Sequence, residues 1–350
     1  MPALSGVSPD HDRVSADQAA QTALQYYGID GTAQRLAAEF DDTFRLTAAD
    51  GSSWLLKIGA TRPPRPPAGH AAHGGVSLET AILLHLASAA PRLPVQRVIF
   101  ALDGRPEVRW VDSGQPRLVR MTSWLDGGLL GRDGSTTGLR RDLGSVLGRL
   151  NRALRGFSHP GASRTHQWDL QRFGALEPLL AELTLDDALR AALSGCLSRF
   201  GAEVAPRLGT ARSQVIHADF HGENLLADGT RVTGILDFGD ALSGPVAMDV
   251  GIAACYQLGH GADPLAPALD VVAGYHAADP LSPGELDLVG EFILARVATR
   301  IIVSRWNAIR EPANRGYLLR RTPQAIGQFE ALRRLAPDEV AGRLRTACGM

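Results

Sequence analysis

An α+β chain in two parts is predicted, an antiparallel-sheet part followed by a mostly helical one. Three observations carry this reading. A length of 350 residues is ample for two packed cores. The first third alternates apolar and polar residues in short runs separated by turn residues. Beyond Gly128 the apolar period becomes helical and is interrupted by a single strand–loop–strand segment. The boundary is expected near Trp124 to Gly134, giving domains of 1–125 and 126–350.

The elements follow in order. VSADQAAQTALQYYG reads as a helix, with Ser15 and Gln18 forming a capping box and Gly28 as the stop. TAQRLAA, TFRLTAAD and SSWLLKIG read as three strands, with Asp50-Gly51 as a hairpin signal between the last two. Residues 61–75 form a loop rich in Pro, Gly and His, where His70 and His73 are read as solvated residues. The helix expected over 76–89 has Ser77 as its N-cap and Leu78, Ile82 and Leu86 on one face. QRVIFAL, PEVRWVD and RLVRMTSWL are further strands, the last ending in a turn at Asp126, Gly127 and Gly128. The stretch LRRDLGSVLGRLNRALRGF, residues 176–208, and the chain from Ala247 onward are helical in period.

Composition narrows the function. A formal net charge of -1 supplies no basic field for nucleic acid or an anionic membrane surface. The three cysteines lie far apart and form neither a CxxC pair nor a Cys/His cluster, so neither a disulfide framework nor a zinc site is expected. With no apolar leader or membrane-length span, a cytoplasmic location is expected. Lys57 is the only lysine among 36 basic residues. Lysine and arginine are not interchangeable where a compact point charge is needed, so Lys57 is a candidate site residue.

The chemistry concentrates in His217-Ala218-Asp219-Phe220-His221-Gly222-Glu223-Asn224, an H-x-D-x-x-x-x-N pattern, followed after a hairpin by Asp237-Phe238-Gly239. That pairing is the catalytic-loop and metal-loop arrangement of kinases. A phosphoryl donor carrying Mg²⁺ needs oxygen ligands from two directions, which Asn224 and Asp237 supply. The acceptor hydroxyl needs a carboxylate to orient it and take its proton, the role expected of Asp219. His217 is expected to brace the loop. Lys57 on the third strand and Glu79 on the following helix match the lysine–glutamate pair that grips the donor phosphates; Glu79 also reads as an exposed helix-face charge. The turn 39–43 lacks a G-x-G-x-x-G, so anion binding there is expected from backbone amides and Thr43.

VIHADFHGENLLAD and GILDFGD resemble the signature of the aminoglycoside phosphotransferase family, a kinase-like fold shared with choline and homoserine kinases. The resemblance covers nearly the whole chain. It implies a protein-kinase-like two-lobe fold, Asp219 as catalytic base, Asn224 and Asp237 as metal ligands and Lys57 as a nucleotide contact. It also implies a purine-reading hinge over 121–125, with Met121, Ser123 and Leu125. LGRLNRALRGFSHPGASRTHQWDL, ILDFGDALSGPVAMDVGIAACY and ARVATRIIVSRWNAIREPANRGYL look like the hydroxylysine-kinase branch. That branch implies an amino-acid side-chain hydroxyl as acceptor, with ATP or GTP as donor. Arg164, Trp168 and Asp169 are then expected near the acceptor, Arg164 on a carboxylate and Asp169 or Asp240 on an ammonium; alternatively Trp168 and Asp169 pin a helix to the loop. Ala218 stands where the family more often has glycine. Two other readings remain open. An aminoglycoside acceptor would call on carboxylates such as Glu177, Glu182, Asp186 and Asp187, and a non-catalytic nucleotide-binding module would not turn over. Oligomeric state is left open.

Overall fold

The structure, a computed structural model, describes residues 13–38, 41–59, 76–112, 115–130, 135–261 and 263–350. The loop 61–75 and the turn residues Glu39 and Phe40 fall outside the described residues. The chain divides into two compact units, Met1–Asp126 and Gly127–Met350.

The first unit opens with α1 (Ala16–Tyr27), whose capping box forms as the sequence predicts: Ser15 and Gln18 each satisfy the other's backbone N–H. Gly28 ends it in the left-handed region at φ 69°. Next come β1 (Gly31–Arg35), β2 (Asp42–Ala48), β3 (Ser53–Ile58), α2 (Leu78–Ala89), β4 (Val98–Ile99), β5 (Val108–Asp112) and β6 (Gln115–Ser123). The sheet order is β1-β2-β3-β6-β4, with β5 also pairing β6, and the pairs are antiparallel. Phe44, Leu46, Leu56, Ile58, Val119 and Met121 face α1 and form the core with Ala19, Ala23 and Tyr27. Because side chains alternate along a strand, Lys57 and Arg120 between those core positions are turned to the opposite face.

Two sequence readings shift here. Asp50-Gly51 lies in a four-residue connection, not a two-residue turn; Asp50 accepts the Ser52 N–H and Gly51 takes φ 86°. The run 96–102 pairs only over Val98–Ile99. Its end turns away through an Ala101 N–H bond to the Arg105 carbonyl, which leaves Phe100 and Leu102 on the surface.

The second unit begins with β7 (Gly128–Leu129) and α3 (Thr137–Ala153). It continues through 3₁₀ turns at Pro160–Ser163 and Leu170–Leu176, then α4 (Glu177–Glu182), α5 (Asp187–Arg199) and α6 (Ala205–Leu208). Strands β8 (Ser213–Ile216), β9 (Leu225–Asp228), β10 (Arg231–Ile235) and β11 (Leu242–Pro245) follow. The chain then runs through α7 (Val246–Cys255), α8 (Ala266–Ala278), α9 (Pro283–Arg310), α10 (Arg315–Leu319), α11 (Thr322–Leu332) and α12 (Pro337–Ala347). β9 pairs both β10 and β7, and β8 pairs β11, so loops 217–224 and 236–241 each join one small sheet to the other. Helix α9, buried along most of its length, packs on α7, α11 and α12. Helices α3 and α8 approach so closely that a Cβ at Gly144 would sit 1.9 Å from the Val271 carbonyl oxygen, and one at Gly274 2.0 Å from that of Arg141. The three cysteines are free, and among the described residues no helix is long and apolar enough to cross a membrane.

Candidate active site

In the first unit the sole lysine meets its glutamate. Lys57 Nζ lies 3.0 Å from Glu79 Oε1, and Arg120, the cross-strand partner of Lys57, binds Glu79 Oε2. Arg120 also reaches Asp41 at 3.0 Å. Burial alone would raise the Glu79 carboxyl; the Arg120 and Lys57 charges outweigh it and hold it at about 2. Glu79 is thus a fixed anion that locks Lys57 in place. Thr43 lies within β2, buried, its hydroxyl 3.4 Å from the Asp41 carbonyl. The Met121 side chain is likewise buried in the core, and Ser123 bonds Arg97 through both its amide and its hydroxyl. Beyond β6, the Leu125 amide and carbonyl have no hydrogen-bond partner among the described residues. The Leu125 backbone groups are therefore left unbonded by the described residues.

In the second unit the Asp219 carboxylate receives three donors. Arg296 from α9 binds Oδ1 at 2.7 Å, while His221 Nε2 at 3.0 Å and Asn224 Nδ2 at 2.8 Å bind Oδ2. A carboxylate has about four acceptor directions. Oδ2 is filled, and one direction on Oδ1 remains. Burial would raise this carboxyl, but His221 and Arg296 hold it well below the usual carboxylate range. The loop is braced from behind: His217, wholly buried, accepts the Asp219 N–H at Nδ1 and meets the Leu236 carbonyl at 3.0 Å through Nε2. Asp249 on α7 accepts the amides of His217 and Ala218. Ala218 is held at φ 64°, a left-handed conformation that glycine reaches without strain.

Asn224 and Asp237 come together because the Leu236 amide donates to the Asn224 carbonyl at 2.9 Å. The Asn224 carboxamide gives its N–H groups to Asp219 O and Oδ2, which turns its oxygen away with no partner among the described residues. Asp237, exposed and at φ 57°, receives the Gly239 amide on Oδ1. An open amide oxygen beside a carboxylate is a hard-oxygen donor set of the kind that holds Mg²⁺ or Ca²⁺. The residues present fit a divalent ion.

The profile of the phosphotransferase enzyme family (APH) matches residues 32–286. The chain belongs to that family. Hydroxylysine kinase of Danio rerio is 24% identical over 344 residues, spanning 94% of each protein. The structure is similar to that of an amicoumacin kinase, with a TM-score of 0.64 and 16% identity over 89% of this chain and 94% of that one. It is also similar to a microcompartment-associated aminopropanol kinase, with a TM-score of 0.62 and 20% identity over 90% and 96% of the two chains. These likenesses establish the kinase-like α+β fold, and this phosphotransferase is a small-molecule kinase.

On its acceptor side, the residues taken from the sequence part company. Arg164 binds the carbonyls of Gly239 and Ala241 and so clamps the loop after Asp237. Asp169, 5% exposed, caps the 3₁₀ turn that follows it and bonds Gln171, so it pins the loop instead of presenting charge. Trp168 stacks on the Arg296 guanidinium at 5.0 Å. Asp240 keeps a partly exposed carboxylate with no hydrogen bond or ion pair among the described residues, raised by burial and by the Asp219 charge. Three of the four acidic residues suited to a polycation are engaged locally, while Asp187 is exposed in the first turn of α5: Glu177 bonds Ser194, Glu182 bonds Trp306, and Asp186 caps α5.

The sequence reading passed over Arg120, His221, Asp249, Tyr256 and Arg296. Three of these carried a signal. Asp249 interrupts the apolar run VAMDVGIAAC, and Arg296 does the same in ILARVATRIIV. His221 lies inside the motif itself. Charges inside apolar runs are expensive unless paired, which marks them.

Proposed function

We propose that the protein transfers the γ-phosphoryl group of ATP or GTP to a hydroxyl of a hydroxylated amino acid or amino alcohol, in the manner of hydroxylysine kinases. The observation that carries this reading is the Asp219 carboxylate, held ionised by three donors with one acceptor direction left open. An acceptor O–H donating to that direction has its oxygen oriented for attack. The new bond joins this oxygen to the γ-phosphorus, the bond from phosphorus to the β,γ-bridging oxygen breaks, and nucleoside diphosphate leaves. The hydroxyl proton passes to Asp219 as the new bond forms. Lys57, oriented by Glu79, is the cation for the donor phosphates, and the Leu125 backbone meets the purine edge. Asn224 and Asp237 would hold Mg²⁺, which would supply positive charge against the developing charge on the phosphates. Arg164 keeps Asp237 in place by clamping the carbonyls behind it. Asp240 is the group for an acceptor ammonium. A cytoplasmic setting, where nucleotide and Mg²⁺ are abundant, suits this chemistry.

The dispersal of Glu177, Glu182 and Asp186 into caps and pairs argues against an aminoglycoside acceptor. Retention of Lys57, Asp219, Asn224 and Asp237 argues against a module without turnover. The test is a coupled assay of nucleoside diphosphate release with Mg²⁺ and ATP or GTP, across hydroxy-amino acids, amino alcohols and aminoglycosides. Turnover with hydroxylysine or a close analogue is expected. Turnover with aminoglycosides alone would overturn the acceptor, and nucleotide binding without turnover on any acceptor would overturn the kinase.

A further inference from the structure

Arg296 and Arg300 lie about one turn of α9 apart on the same face, and Arg296 contacts Asp219. Both guanidinium groups stack on one ring, Tyr256, at 5.4 and 5.0 Å. Arg296 is 2% exposed and uses only Nη2, for Asp219 and the Tyr256 hydroxyl; its Nε and Nη1 are buried without a partner. Arg300 is 8% exposed and meets only neutral groups, Gln328 Oε1 at 3.5 Å and Cys255 Sγ at 3.9 Å. No carboxylate pairs with Arg300 among the described residues. Of these two buried cations only Arg296 has a carboxylate partner, and that carboxylate is already assigned to the acceptor hydroxyl. Buried charges are kept only when paired, and orphaned buried donors call for a missing acceptor atom.

We propose that the missing anion is a carboxylate of the phosphoryl acceptor, bound by Arg300 and supported by the free edge of Arg296. The acceptor is then a hydroxylated amino acid rather than an amino alcohol. This deepens the function proposed above and rests on it. The donor phosphates are the other available anion, and the geometry disfavours them: Arg296 holds Asp219 Oδ1, whereas Asn224, the phosphate-side ligand, holds Oδ2. Four residues of helix rise about 6 Å, so Arg300 lies that far along α9 from the arginine that holds Asp219. The spacing suits an acceptor whose hydroxyl and carboxylate are separated by several carbons. Trp168, over the Arg296 guanidinium, closes the arginine off from water and strengthens its attraction for an anion.

Matched acceptors test this: hydroxylysine against 1,5-diaminopentan-2-ol, homoserine against 3-aminopropan-1-ol, and threonine against 1-aminopropan-2-ol. Each pair differs only in the carboxylate. The wild-type enzyme is expected to prefer the carboxylate-bearing member of any pair it uses. Arg300→Met is expected to lower that preference by about 10- to 100-fold, as a rise in acceptor KM with kcat little changed, in line with one lost charge-assisted contact. Should Arg300→Met not fold, Arg300→Lys carries the test; it keeps a point charge but loses the fork, and the preference falls by a smaller factor. Equal turnover of both members by the wild type would overturn the inference while leaving the kinase intact. So would a loss in the variant that is the same for both members, or one that appears in the nucleotide KM. If hydroxylysine is silent but another pair shows the preference, the hydroxylysine-like reading fails and the carboxylate site stands.

Discussion

Replacing Glu79 by glutamine isolates the electrostatics of the donor side, because the shape is kept and only the charge is removed. The Glu79 carboxyl is held at about 2, against an ordinary 4.5. At about 1.4 kcal/mol for each tenfold change, that difference corresponds to roughly 3 kcal/mol favouring the ionised form. Solvent screening takes little from this figure, since the side chains of Glu79, Lys57 and Arg120 are only 14, 15 and 13% exposed. In Glu79→Gln, Lys57 loses the carboxylate it touches and Arg120 keeps Asp41. The expected loss is about 2–3 kcal/mol at pH 7, which at a urea m-value of about 1.5 kcal/mol/M moves the midpoint by about 1.5–2 M. The pH dependence follows from the direction of the shift. A carboxyl depressed in the folded state contributes stability that is full above 4.5 and is lost as pH falls towards 2. The gap between wild type and variant should therefore be constant from pH 7 to about 5 and shrink below 4.5. Urea titrations across this range give the gap, and hydrogen exchange of β3 and α2 localises it to the first unit. Equal stability at pH 7, or a gap that persists unchanged to pH 2.5, would refute the reasoning.

Three further outcomes are expected. Asp219→Asn should lower kcat by about 10²–10⁴-fold in the coupled assay. It should also lower stability by about 1–3 kcal/mol in urea, because Arg296 loses its only carboxylate partner among the described residues. Gly274→Ala should destabilise the second unit by about 1–3 kcal/mol or prevent folding, since its Cβ would meet the Arg141 carbonyl; a melting temperature equal to wild type would count against that close approach. Removing Mg²⁺ with a chelator should abolish turnover while circular dichroism stays unchanged, because the fold of the Asn224 and Asp237 loops rests on protein hydrogen bonds.

What could be read from sequence was local. Ser15 with Gln18 and the cap at Ser77 depend on residues within one turn, and they form. The motif from His217 to Asn224 has a spacing that itself defines the loop. Lys57 and Glu79 were legible because an alternating strand and a helix N-terminus fix which way each points. The partners that complete each cluster were not legible. Arg120 meets Lys57 only through the register of β3 on β6, and Arg296 reaches Asp219 from a helix 77 residues further on. Neither register nor helix packing can be read from one sequence. The strands β7 and β11 were missed for a different reason: two and four residues, containing glycine and proline, carry no period to detect. Arg164 and Asp169 are expected near the acceptor from a family resemblance, and loop pinning is the alternative for Asp169; their bonds to the Gly239, Ala241 and Gln171 backbone are long-range or turn contacts that carry no period in the sequence.

Asp219 poses a problem that its surroundings resolve. A carboxyl held so low is a weak base, and an alcohol is a far weaker acid, so Asp219 cannot remove the proton before the phosphorus–oxygen bond begins to form. In a loose phosphoryl-transfer transition state it need not. The hydroxyl oxygen becomes acidic only as it shares its electrons with phosphorus, and until then the carboxylate serves to aim it. Aim requires that the carboxylate be ionised, immobile and open in one direction. Arg296, His221 and Asn224 supply the first two conditions and, by filling three of the four acceptor directions, define the third. In the proposed reaction, the charge that holds Asp219 down thus costs basicity that is used late and supplies orientation that is needed from the start. It also explains why the arginine is buried beneath Trp168 and Tyr256: a solvated guanidinium would neither fix the carboxylate nor retain an uncompensated edge for a second anion.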